Sequence, residues 1–120
     1  MRKRFIVEFG MGIDLHGQDA TRASCKAVQD AISYGCLCGL EELLEIKDFN
    51  SIFVDITIAV PQPDQVDQEA VMREVPFGHK TVKVVPGGLT APTLFVPQLG
   101  DKNEDAVVAV AAVTVSVDVG

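Results

Sequence analysis

The chain has little positive charge. Its 10 Lys and Arg residues stand against 17 Asp and Glu residues, which gives a net charge of −7. Nucleic-acid binding depends on clustered basic side chains that neutralise phosphates. The only such cluster is Arg2-Lys3-Arg4, which is more simply a solvated stretch of chain. This composition excludes nucleic acid as the expected partner.

Long apolar runs are also missing. A membrane-spanning helix needs roughly 20 apolar residues, and the Val- and Ala-rich stretch 106–117 is too short. The start of the chain resembles the charged part of a signal peptide. Glu8, however, interrupts the apolar run that follows, and no small-residue cleavage site comes after it. We therefore expect a cytoplasmic protein without a membrane segment.

Cysteine is scarce, and its spacing does not suit a metal. The three residues Cys25, Cys36 and Cys38 form neither an even set nor a CxxC pair. A structural zinc site uses four ligands, and only His16 and His79 remain as good additional donors. We expect reduced thiols, buried on or after a helix, and neither a metal nor a cofactor.

Signatures of common enzyme classes are absent as well. The chain contains no GxSxG, HExxH or GxGxxG sequence. The motif-defined hydrolases, zinc proteases and dinucleotide-dependent enzymes therefore lose support. Whether the protein is an enzyme stays open at this stage.

Hydrophobic periodicity predicts one α+β domain spanning residues 1–120. Alternation of apolar and polar residues marks strands near 4–13, 51–60, 80–85 and 106–119, and helical spacing marks residues 20–34 and 67–74. The predicted order is β-α-β-α-β-β, with a four-stranded mixed sheet and both helices on one face, and 87–105 is predicted to be a long loop.

One face of this sheet is left without helices. The alternation places Glu8 there together with mostly polar side chains of the other strands, namely Phe53, Asp55, Thr57, Thr81, Lys83, Thr114, Ser116 and Asp118. The order of elements resembles the small trimeric chorismate-mutase-like and YjgF-like folds. That resemblance implies that open sheet faces pack together and that ligands bind between subunits. We therefore expect a homo-oligomer, a trimer or a multiple of one.

The stretch 10–19 reads GMGIDLHGQD and joins the first strand to the first helix. Together with residues 75–78, 87–88 and 99–105, it is similar to a family of short microbial proteins known as conserved hypotheticals, whose N-terminal motif is GMGxDLHGQD. The resemblance covers nearly the whole chain. It implies a single domain and supplies no activity.

The same junction holds the best candidate site, because helix N-terminal N–H groups and strand-end side chains converge at such junctions. Asp14 and His16 share strand parity, so the carboxylate is predicted to orient the imidazole as a general base. Alternatively, Asp14 binds loop N–H groups and His16 is a turn residue. Ligand contacts are predicted for Gly12, Gly17, Gln18 and Asp19, although Asp19 also suits a helix N-cap.

A second polar segment precedes the last strand. In the loop 100–105, Lys102 is predicted to neutralise an anionic substrate and Asn103 to hydrogen-bond it. The same composition is also typical of a solvated turn. With Asp14 and His16, Lys102 completes the predicted catalytic set.

Two functions follow from these residues. In the first, the protein binds or transforms a small polar or anionic metabolite at a site between subunits. In the second, it is an oligomeric structural or partner-binding module without catalytic activity. The two are distinguished by whether His16 and Lys102 approach one another around a pocket, within one chain or across chains, or instead lie apart on the solvent-exposed surface.

Overall fold

A computed structural model describes the whole chain, residues 1–120, as an α+β fold with a five-stranded mixed sheet. None of its helices is long and apolar enough to cross a membrane. The elements, in chain order, are β1 (Arg2–Asp14), α1 (Ala20–Ile32), α2 (Cys38–Glu42), β2 (Phe53–Val60), α3 (Gln68–Met72), β3 (His79–Pro86), β4 (Leu89–Pro92) and β5 (Asp105–Asp118).

The last strand lies at the centre of the sheet. The strand order is β1-β5-β2-β3, with β5 antiparallel to both of its long neighbours and β2 parallel to β3. The short β4 pairs with residues 105–108 of β5, beyond the end of β2. The predicted count of four strands was therefore wrong, because β4 lies within the predicted loop 87–105. Four residues ending in Pro92 are too few to show an alternation.

Glycine sets the distance between α1 and β1. A Cβ added at Gly12 would lie 2.1 Å from the Ala23 carbonyl oxygen, and one at Gly10 would lie 2.3 Å from the Ala27 carbonyl oxygen. On the helix side, Ala23 and Ala27 are fully buried. The helix backbone therefore rests directly on the strand, which only glycine on one side and alanine on the other permit.

This contact determines which face of β1 is covered. Glu8 shares the parity of Gly10 and Gly12, so it lies on the covered face, and its prediction for the open face was wrong. The larger apolar side chains of β1 point the other way. Phe9 is 72% exposed and Met11 is 53% exposed. The open side of the sheet is thus partly apolar.

We call this region the open apolar face and define it as Val7, Phe9, Met11 and Ile13 of β1 with Val110 of β5. In the strand register Met11 is opposite Val110, so the two strands contribute to one continuous patch. All five side chains are exposed. Isolated monomers rarely leave large contiguous apolar patches in water.

The free edge of β1, by contrast, is partly closed by side chains of α1. The Asp30 carboxylate accepts a hydrogen bond from the Met11 N–H at 2.8 Å, and the Lys26 ammonium donates to the Ile13 carbonyl at 3.0 Å. The Met11 bond is the main cause that holds the pKa of Asp30 below its ordinary value. Such capping blocks pairing with a further strand. Association through β1 would therefore use its face rather than this part of its edge.

Candidate functional site

A fully buried carboxylate, Asp101, lies where the turn after β1 meets the loop before β5. It accepts hydrogen bonds from His16 Nδ1 at 2.9 Å, from the Gly17 N–H at 3.2 Å and from the Val96 N–H at 2.8 Å. Its side chain has no exposed surface. Asp101 therefore joins the turn after β1 to the loop before β5 and also fixes the loop itself through Val96.

Asp101 is ionised at neutral pH. Burial alone would raise its pKa, but the hydrogen bonds from Val96, His16 and Gly17 outweigh burial and hold the pKa below its ordinary value. An ionised carboxylate can only accept hydrogen bonds, so the proton of the His16 contact belongs to Nδ1. The second ring nitrogen, Nε2, has no partner within the chain, and the side chain is 36% exposed.

Gln18 connects the same two segments through its backbone and its side chain. It adopts a left-handed backbone with φ of +49° and is almost completely buried. Its Oε1 accepts from the Lys102 N–H at 2.8 Å, and its Nε2 donates to the Leu15 carbonyl at 3.3 Å. The predicted segments 10–19 and 100–105 are thus brought together in one network.

Asp14 does not orient His16, contrary to the predicted pairing. Its carboxylate accepts a hydrogen bond from the Asp19 N–H at 2.8 Å and lies 3.7 Å from the Lys26 ammonium. The parity argument failed because β1 ends at Asp14 and the chain turns before His16. Asp14 instead follows the alternative interpretation, in which it binds a loop N–H.

Three of the predicted ligand-binding residues use their polar groups internally. The Asp19 side chain caps α1 by accepting from the N–H groups of Thr21 and Arg22. The Gly17 N–H is bound to Asp101, and both ends of the Gln18 amide are bonded. Gly12 has no polar side chain and lies against α1. These residues shape the junction more than they present groups to a ligand.

Lys102 and Asn103 lie at a small polar cleft beside this network. The cleft has a volume of about 280 Å³. Asn103 Oδ1 accepts from the Asp105 N–H, while the Lys102 side chain is exposed and has no partner within the chain. His16 does not line this cleft. The residues that line it include Gln18, Gln62, Gln65, Thr90, Lys102 and Asn103.

Three groups remain available for a ligand around this junction: His16 Nε2, the Lys102 ammonium and the Asn103 amide nitrogen. Sequence reasoning selected all three residues but missed Asp101, which positions His16. A carboxylate 85 residues away cannot be paired with a histidine from spacing. The only feature of the sequence that pointed to Asp101 was the polar composition of the loop 100–105.

The thiols do not form a site of their own. No three His, Cys, Asp or Glu side chains lie close enough together to hold a metal ion. Cys36 and Cys38 are exposed, so the expectation that they are buried was wrong. Burial, with a further contribution from Glu74, raises the pKa of Cys25 to about 11, so this thiol is unreactive at neutral pH.

Comparison with known proteins identifies the family of the chain. The chain belongs to a family of conserved hypothetical proteins, Lin0512_fam, whose model matches residues 4–115. The membership expected from the sequence is therefore confirmed. No match was found among curated proteins.

One similar solved structure extends the comparison to the backbone. It is the crystal structure of an FtsZ-like protein of unknown function from Nostoc punctiforme. The two sequences are 42% identical, the alignment covers 98% of each chain, and the TM-score is 0.89. The fold described above is therefore shared with a protein whose structure was determined by crystallography.

Proposed function

We propose that the protein binds a small polar or anionic metabolite at the junction of residues 15–18 with the loop 100–105, in a site that a second copy of the chain completes. The observation that supports this best is the buried Asp101 carboxylate, which holds Nδ1 of the partly exposed His16 side chain. A buried charge is costly unless it is fully hydrogen-bonded. The carboxylate fixes which nitrogen of the His16 imidazole carries the proton in the neutral form. A residue that only forms a turn does not need a fixed tautomer.

The available groups suggest what such a ligand carries. The Lys102 ammonium would pair with an anionic group, and the Asn103 amide and the Thr90 hydroxyl would hydrogen-bond its polar atoms. A cleft of about 280 Å³ is at the lower end of the range for ligand sites, roughly 300–1,000 Å³. A small metabolite fits this volume. His16 is the residue we propose as a general base, without assigning a reaction to it.

The open apolar face supports placing the site between subunits. Phe9, Met11 and Val110 expose apolar surface that a partner would cover. In an isologous contact each copy would present the same patch. His16 does not line the polar cleft of its own chain. A neighbouring copy would therefore supply the surface that joins His16 and the cleft into one site.

Binding of small anions tests the role of Lys102. We expect inorganic phosphate or succinate to raise the thermal midpoint of the wild-type protein. Lys102→Gln should weaken that binding about tenfold, because a charge-assisted hydrogen bond contributes roughly 1.5–3 kcal/mol. Titration calorimetry measures the affinity. Lys47→Gln, at an exposed position outside the cleft, is the matched control and should bind like the wild type.

The same assay separates His16 from its structural alternative. His16→Ala should remove most of the response to a bound anion while the protein still unfolds cooperatively. A variant that keeps the full response would show that His16 is only a turn residue. The absence of any response in the wild type, to either probe, would contradict the metabolite site itself.

An oligomeric module without catalytic activity is the second candidate, and the open apolar face favours it. Met11→Lys places a charge in the centre of that face and should convert the assembly into single chains at micromolar concentration. Sedimentation equilibrium measures the mass. Leu43→Lys is the control, because Leu43 is 79% exposed and lies outside the face. A wild-type protein that sediments as one chain would rule out both assembly and a site between subunits.

A further inference from the structure

A larger and apolar cavity lies on the helix-covered face of the sheet and shares no lining residue with the polar cleft. Its volume is about 440 Å³. The rings of Phe49 and Phe77, whose centroids are 5.4 Å apart, belong to its wall. The sheet side of the cavity is formed by the buried residues Ile52, Val54, Val113 and Val115.

The mouth of the cavity is acidic. Glu8 and Glu41 line it together with the thiols of Cys36 and Cys38, and no Lys, Arg or His side chain does. The Glu8 carboxylate has no hydrogen-bond or ion-pair partner, and burial raises its pKa. A Cβ at Gly35 would lie only 2.9 Å from Glu8 Oε2. Glycine at this position therefore leaves room for the carboxylate at the mouth.

The cavity opens to solvent, because the exposed residues Cys36, Cys38 and Glu41 are part of its lining. Most of its remaining lining is apolar. Apolar walls offer water too few hydrogen-bond partners to hold it in place. The volume lies within the range of sites for small ligands, roughly 300–1,000 Å³. An apolar molecule would contact these walls and displace the water from them.

The negative charge at the mouth of the cavity determines which apolar molecules can bind there. A carboxylate or phosphate ligand would meet Glu8 and Glu41, and like charges repel. A ligand ammonium would give Glu8 the partner that the chain does not supply, as a charge-assisted hydrogen bond. The apolar part of such a ligand would lie against the sheet residues and the two phenylalanine rings.

We propose that this cavity is a second binding site, which takes a small amphiphilic amine with its apolar body inside the cavity and its ammonium against Glu8. The site is separate from the polar cleft and opposite in ligand charge. A result that contradicts this second site would therefore not contradict the function proposed above, and the reverse also holds.

Three probes of the same shape test the proposal: cyclohexylmethylamine, cyclohexylmethanol and cyclohexanecarboxylate. We expect the amine to bind most tightly, the alcohol at least about tenfold more weakly and the carboxylate not at all. Titration calorimetry and chemical-shift changes at Val113 and Val115 report affinity and location. Equal affinity for the amine and the carboxylate, or no binding of the amine, would overturn the proposal.

Two variants identify the groups responsible. Glu8→Gln keeps the shape of the side chain and should reduce amine affinity to that of the alcohol, whereas Glu104→Gln, at an exposed position elsewhere, should change nothing. Val113→Leu fills part of the cavity and should weaken both the amine and the alcohol, with the thermal midpoint confirming that the variant folds. Unchanged amine binding in Glu8→Gln or in Val113→Leu would overturn the proposal.

Discussion

Replacing Gly12 with alanine should destabilise the fold by more than about 3 kcal/mol, beyond the usual cost of overpacking. The added Cβ would lie 2.1 Å from the Ala23 carbonyl oxygen and 2.4 Å from the Ala27 nitrogen. Both atoms belong to the helix backbone, so no side-chain rotation relieves the contact. The whole of α1 would have to move away from β1. Denaturant titration measures the loss.

Gly100→Ala provides the control for this substitution. Gly100 has a φ of +89°, and no atom lies within 4 Å of an added Cβ. Alanine there meets only the left-handed backbone penalty, roughly 1–2 kcal/mol. If Gly12→Ala is no more destabilising than Gly100→Ala, then α1 does not lie as close to β1 as described. A folded Gly12→Ala variant that loses anion binding would instead support the ligand role first predicted for Gly12.

Asp101→Asn should have the second largest effect. Both carboxylate oxygens accept hydrogen bonds, one from Gly17 and His16 and the other from Val96 and His16. An asparagine amide has one oxygen and one NH₂ group, so whichever way it turns, its NH₂ faces an N–H donor. The buried donor is then left without an acceptor.

We expect this substitution to lower the thermal midpoint by roughly 5–10 °C. Asp64→Asn, at an exposed position in a short 3-10 turn, is the matched control and should leave the midpoint nearly unchanged. An Asp101→Asn midpoint equal to that of the control would mean that the turn and the loop hold together without the carboxylate. The position of His16 would then need another explanation.

Acid should remove the advantage of the wild type over Asp101→Asn. The folded-state pKa of Asp101 lies below its ordinary value, and the unfolded value is about 3.9. The ionised form therefore stabilises the fold fully above the unfolded value, and this contribution is lost as pH falls through the folded-state pKa. The difference in midpoint between wild type and variant should be constant from neutral to mildly acidic pH and shrink below that.

The long strands were predictable because their burial is periodic. In β2 and in residues 113–117 of β5, branched apolar residues alternate with small or polar ones, and the structure buries the branched apolar set. In β1 the same alternation was visible, but the covered face is the one with Gly10 and Gly12. A rule that large apolar side chains face the core fails where the backbones of a helix and a strand touch.

The candidate site was predictable in its location and not in its pairing. A glycine-rich junction containing Asp14, His16 and Gln18 drew attention to the end of β1, and the structure places the hydrogen bonds of Asp101 to His16 and Gly17 there. The carboxylate that holds His16, however, comes from a loop that only the tertiary fold brings near. Asp14, the carboxylate nearest to His16 in sequence, instead accepts a hydrogen bond from the Asp19 N–H, immediately before α1. Local composition indicates where polar groups concentrate, and only the fold decides which of them meet.

The central position of β5 governs the order in which the chain can complete its sheet. In the register of β1 with β5, Arg2 is opposite Asp118, and β2 also pairs along β5. During synthesis, β1 and β2 therefore emerge long before the strand that joins them. Contacts between such distant parts of a chain form slowly, because the intervening loop must first be closed. Until β5 has been synthesised, β1 and β2 lack the strand that pairs with both of them. Aggregation of the nascent protein is therefore most favoured in this interval.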